Sequence, residues 1–110
     1  NISLVKNTYT ASQSTHTITG DIGSSFSTYS TITLASKTAT AGVADAADVT
    51  FVAGTAGEVI TGAIIWKTGA TPGACNLVAY IDIATGLPLT TNGANIDFIF
   101  DNGTNKIFKL

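Results

Sequence analysis

Few side chains in this sequence have types and spacing that could do chemistry. His16 is the sole histidine and Cys75 the sole cysteine. A Ser-His-Asp or Cys-His relay needs nucleophile and base within hydrogen-bond reach, so the fold would have to carry His16 to Cys75 or to one of the many serines. No serine occupies a Gly-x-Ser-x-Gly elbow. His16 therefore reads as an exposed strand residue. Cys75 reads as a buried free thiol, with an intermolecular bridge as the alternative, since a lone cysteine makes no internal bridge. One His and one Cys cannot complete a structural zinc site. Calcium asks for less: Asp97 and Asp101 stand four apart, and Asp82 could join them from a neighbouring strand, although the spacing matches no known calcium loop. Glu58, the sole glutamate, would suit promotion of an isopeptide cross-link if a Lys and an Asn lay beside it in the core. Tyr9, Tyr29, Tyr80 and Trp66 offer rings for stacking on sugars, but Trp66 lies in an apolar run and reads as core. The glycines of 69–73 lack the Lys and the strand-to-helix setting of a phosphate loop. The expectation is a protein that is not an enzyme, with no catalytic, cofactor or metal site.

The elements that would position these residues read as strands. The run 59–66 is apolar on both parities, as a strand covered on both faces should be. Strands are also expected at 15–19, 28–34, 49–53, 77–83, 96–101 and 107–110. The alanine-rich 39–47 is expected to be a loop, because Gly42 and its short length oppose a helix. Gly86 and Pro88 break one strand, and Thr91-Asn92-Gly93 makes another turn. Asp101-Asn102-Gly103 predicts a hairpin with Phe98, Phe100, Phe108 and Leu110 on its inner face. Val78, Tyr80, Ile99 and Ile107 fall on the opposite parity and form the candidate interface. Either a second sheet of the same domain covers them or another chain does. The expected architecture is all-β: a single-domain antiparallel β-sandwich or small β-barrel at 13–110, preceded by an N-terminal arm or edge strand at 1–12.

Composition narrows the partners. The 110 residues are one domain's worth. Charged residues make up only 11%, against about 25% in ordinary soluble domains. Much of the surface must then be Ser, Thr, Asn and Gly, or be covered by neighbours. Residues 1–40 alone hold 18 Ser and Thr. A net charge of −2 with no arginine argues against nucleic acid and against anionic membranes. No apolar run approaches the roughly 18 residues of a membrane span. The chain opens on Asn1 rather than Met, as a processed or trimmed product would.

From residue 62 onward the order of motifs is recognisable. Ile64-Ile65-Trp66-Lys67-Thr68-Gly69 leads to Leu77-Val78-Ala79-Tyr80-Ile81-Asp82. Then come Ala84-Thr85-Gly86-Leu87-Pro88, Asn92-Gly93, Asp101-Asn102-Gly103 and the closing Asn105-Lys106-Ile107-Phe108-Lys109-Leu110. This part of the chain resembles small virion structural proteins of tailed bacteriophages; residues 1–50 carry no such likeness. The resemblance implies a capsid decoration (cement) protein on the virion surface that binds the major capsid protein and associates with itself, a trimer being favoured. Two rivals are a head-fibre or tail domain that binds a host-surface glycan, and a bacterial adhesin or carbohydrate-binding module.

Overall fold

The computed structural model describes residues 1–104 and 106–110; Asn105, which opens the closing segment of the resemblance, lies outside the described residues. In chain order the strands are β1 (Ile2–Lys6), β2 (Thr38–Thr40), β3 (Val43–Asp45), β4 (Val49–Phe51), β5 (Val59–Lys67), β6 (Asn76–Ile81), β7 (Leu89–Thr90), β8 (Ile96–Phe98) and β9 (Phe108–Lys109). The fold is all-β, with two short 3-10 turns at Thr19–Asp21 and Gly23–Ser25 as its only helical pieces among the described residues.

Everything is arranged on β5, whose two apolar parities give the main sheet a core on each face. It pairs antiparallel with β1 on one side, and with β6 and β7 on the other. Ala63 and Ile65 face the larger core. There they meet Ile2 and Leu4 of β1, Val49 and Phe51 of β4, and Phe100. The β4–β8 pair thus closes over one face, making a sandwich, and Ala46 and Ile107, which flank β3 and β9, join the same core. Ile64 and Val5 face the other way and pack with Ile22, Phe26, Trp66 and Tyr80. Irregular chain from the first third covers that face. Backbone bridges tie it to the sheet, pairing Val5 with Phe26 and Ile2 with Ile32.

Two register shifts decide which residues meet. Between Ile65/Trp66 of β5 and Ala79/Leu77 of β6, Val78 is left without a partner. This bulge lets Leu77 join Tyr80 on the second core while Ala79 and Ile81 stay on the first. Between Val5/Lys6 and Gly62/Ile60, Thr61 is the extra residue. Gly62 then lies under the Tyr80 ring, so close that a Cβ would come within 2.6 Å of Tyr80 Cε2.

Residues 1–12 are not uniform. Ile2, Ser3, Leu4 and Val5 are buried in β1, whereas residues 7–12 run as a turn and loop.

Several sequence expectations need correction. The hairpin expected at Asp101-Asn102-Gly103 does not form: β8 pairs with β4, and β9 pairs with β3. A type I′ turn needs positive φ at both central residues, and Gly103 is not among the glycines that have it. Asp101 Oδ1 instead accepts the Gly103 N–H, closing a local side-chain turn. Phe100 is buried as expected, but Leu110 lies in solvent. The expected loop 39–47 contains the β2–β3 hairpin. Its turn residues Ala41 (φ 51°) and Gly42 (φ 78°) both lie in the left-handed region, a geometry the alanine conceals in sequence. No strand forms at 15–19. There the Asp21 carboxylate accepts the N–H groups of Thr17 and Ile18 and bends the chain into a 3-10 turn. The run 28–34 also fails as a strand, because Glu58 captures the Thr28 N–H and Tyr29 turns into the core.

Candidate functional site

Two surface depressions flanking the main sheet hold several of the residues singled out in sequence, and a smaller one is lined by Trp66 and Cys75 among others. The first lies between 9–16 and β6. It has a volume of about 540 Å³ and is lined by Tyr9, Gln13, His16, Leu77, Tyr80 and Asp82 among others. β6 delivers Leu77 and Tyr80 from the face that packs on the second core. The loop after β1 delivers Tyr9, whose ring meets Tyr80 edge-on at 5.4 Å and 88°. His16 lies at 5.5 Å from the Tyr9 ring, and its Nδ1 shares a 3.1 Å hydrogen bond with the Tyr9 hydroxyl. Burial, then Tyr80 and Asp21, push the Tyr9 phenol above its usual range. Burial, then Asp82, push Tyr80 the same way, against a smaller opposing pull from Thr61. Both phenols are thus neutral hydrogen-bonding groups at ordinary pH.

The second depression is a largely apolar groove of about 520 Å³ between the 84–89 turn and β8, lined by Leu87, Leu89, Ile96, Phe98 and Ile99, with Asp97 and Asp101 also on its wall. Leu87, Leu89, Ile96 and Phe98 pack against the main core from below. Ile99 is 63% exposed at its edge, and Ile83, next to Ala84 of the groove, is 90% exposed.

The four candidate interface residues therefore do not share one surface. Val78 is exposed on its bulge and Tyr80 is half-buried, both at the first cleft. Ile99 stands at the groove, and Ile107 packs on the main core. Period-2 parity assigned them to one face because it carried no sign of the bulge at Val78 or of the separate partners of β8 and β9.

The candidate chemical groups are also dispersed. His16 pairs with Tyr9 and not with Cys75, which is buried. The Cys75 thiol donates to Thr71 O and its sulfur accepts the Gly69 N–H. Asp97 accepts from Thr50 Oγ1, Asp101 from Gly103 N–H, and Asp82 lies at the other cleft. Among the described residues no three His, Cys, Asp or Glu side chains are grouped to hold a metal ion. Trp66 is half-buried, and its Nε1–H donates to Ser3 Oγ at 3.0 Å. Tyr29 is buried, with its hydroxyl donating to Ala94 O.

Glu58 has the densest polar surroundings of these residues. Its carboxylate accepts from Ser27 Oγ (2.5 Å), Thr28 Oγ1 (3.1 Å) and Thr28 N–H (3.2 Å), with Lys6 Nζ at 3.9 Å. Burial raises its pKa, but the Ser27 and Thr28 hydrogen bonds and Lys6 outweigh that and hold it below the usual value. Thr28 Oγ1 also accepts the Thr55 N–H, and Thr91 Oγ1 accepts the Glu58 N–H while donating to Thr55 O. This network ties three loops to the start of β5. Nothing in the sequence linked Glu58 to Ser27, Thr28 or Thr91. Gln13 and the apolar groove were equally hidden.

Compared with known proteins, the chain matches no family model, and no curated protein matches it.

Proposed function

We propose that this chain is a non-catalytic structural protein of a bacteriophage virion, a decoration protein that seats on the head, binds the major capsid protein and stabilises the shell. The observation that carries this reading is the aliphatic surface left in water. Ile99 lines the groove walled by Leu87, Leu89 and Phe98, and the exposed Ile83 directly precedes its Ala84, on a chain in which only 11% of residues are charged. Fully burying one such side chain is worth about 1.5–3 kcal/mol, and exposed apolar residues beside an apolar groove mark a contact surface. In this reading the major capsid protein fills the groove, with self-association (a trimer favoured) arranging copies around it. Nucleic acid and membrane are not among the proposed partners, given the net charge of −2 and the absence of arginine.

The test adds purified chain to phage heads assembled without it. The expected result is a copy number approaching that of the major capsid protein and heads that resist heating better. Replacing both isoleucines (Ile83→Thr with Ile99→Thr) should abolish head binding while changing stability by no more than about 0.5 kcal/mol, as exposed substitutions do. Failure to bind heads, or occupancy confined to tail or fibre positions, refutes the decoration role.

A further inference from the structure

The Tyr9–Tyr80 cleft differs in chemistry from the groove at Ile99. Its volume of about 540 Å³ falls within the roughly 300–1,000 Å³ of small-ligand sites. Leu77 and the Tyr9 and Tyr80 rings give it apolar walls, and Ser12, Gln13, His16 and Asp82 add polar groups. Neither the Gln13 nor the Asp82 side chain hydrogen-bonds to any described residue. Both are therefore free to bond a ligand. No lysine or arginine lines the cleft and the Asp82 carboxylate does, so the lining disfavours a phosphate, sulfate or carboxylate. The rings stand at 88° and leave no parallel slot for a flat heterocycle.

These features match one ligand class. A pyranose has a C–H face that packs on an aromatic ring, and a fan of hydroxyls that donate to a carboxylate and both donate to and accept from an amide. We infer that this cleft binds a neutral saccharide unit, stacked on Tyr9 and hydrogen-bonded by Gln13 and Asp82. His16 is a positioning residue here, holding the Tyr9 ring through its Nδ1 bond to the phenol. Head decoration is not a premise of this site, and the purified chain is enough to test it.

The experiment is an amide NMR titration of the isotope-labelled chain with lactose, maltotriose, mannotriose and chitotriose. Each is taken to about 10 mM, well above a millimolar Kd. The expected result is saturable shifts at Tyr9, Gln13, His16, Tyr80 and Asp82 with at least one sugar. Gln13→Ala and Asp82→Asn should each weaken that binding about tenfold, the effect of losing one ligand hydrogen bond. Both side chains are exposed, so spectra unchanged away from the cleft verify that each variant remains folded. The inference is overturned if no sugar produces saturable shifts, if shifts map outside the cleft, or if both variants bind as the parent does. Tighter binding of sialyllactose than of lactose also overturns it, because that would reveal an anion site.

Discussion

Replacing Glu58 tests whether the irregular first third is held by a single carboxylate. Three donor groups converge on it, namely Ser27 Oγ and the N–H and Oγ1 of Thr28, and its side chain is only 10% exposed. Hydrogen bonds to a charged group contribute about 1.5–3 kcal/mol each. They are not additive here, because Thr28 is exposed and its groups can rehydrate. Glu58→Ala should therefore cost roughly 2–4 kcal/mol in all, near the upper end for single substitutions. At about 4 °C per kcal/mol for a domain of this size, Tm should fall by roughly 8–16 °C. Glu58→Gln keeps the shape but turns an amide NH2 toward donors, and about half that loss is expected. The pH dependence separates charge from shape. The folded carboxyl titrates below its unfolded value. Its stabilisation is therefore full above the unfolded pKa of about 4.3 and disappears as pH falls through the folded pKa. Asp21 is depressed in the same direction, chiefly by the Ile18 and Thr17 N–H groups, but it is present in both proteins. Urea unfolding of parent and Glu58→Gln from neutral pH down to acid should give curves that converge as the solution becomes acidic. Parallel curves over that range, or a loss under about 1 kcal/mol for Glu58→Ala, would refute the argument.

Two further outcomes follow from packing. A Cβ at Gly62 would lie 2.6 Å from Tyr80 Cε2 and 2.7 Å from Ile81 O. Gly62→Ala should therefore destabilise by about 1–3 kcal/mol in urea melts, despite the roughly 0.4–1 kcal/mol that Gly→Ala gains where space allows. Phe51 is fully buried where β4 meets the main sheet and packs edge-on against Phe98 at 6.5 Å. Phe51→Ala should cost roughly 3–5 kcal/mol in the same assay, and a loss below about 1 kcal/mol would mean that the two sheets are not packed as described.

Some of this molecule was legible residue by residue. The run 59–66 has apolar side chains on both parities, and that alone required a strand covered on two sides; β5 is that strand. The all-β class followed from the same local periodicity, and the Gly86 and Gly93 turns followed from positive φ, which a glycine advertises. Local pattern stopped at the choice of partner. Asp101-Asn102-Gly103 looked like a hairpin because the tripeptide can make one, but pairing is a competition among all available edges. β4 offered β8 a neighbour and β3 offered one to β9. Bulges were equally invisible, since one unpaired residue at Val78 costs the sequence no change in alternation yet sends Leu77 and Ala79 to different cores. The candidate surfaces depend on those choices. Tyr9 reaches Tyr80, and Glu58 reaches Ser27, across separations in the chain that no periodicity encodes, because only long-range packing brings such side chains together.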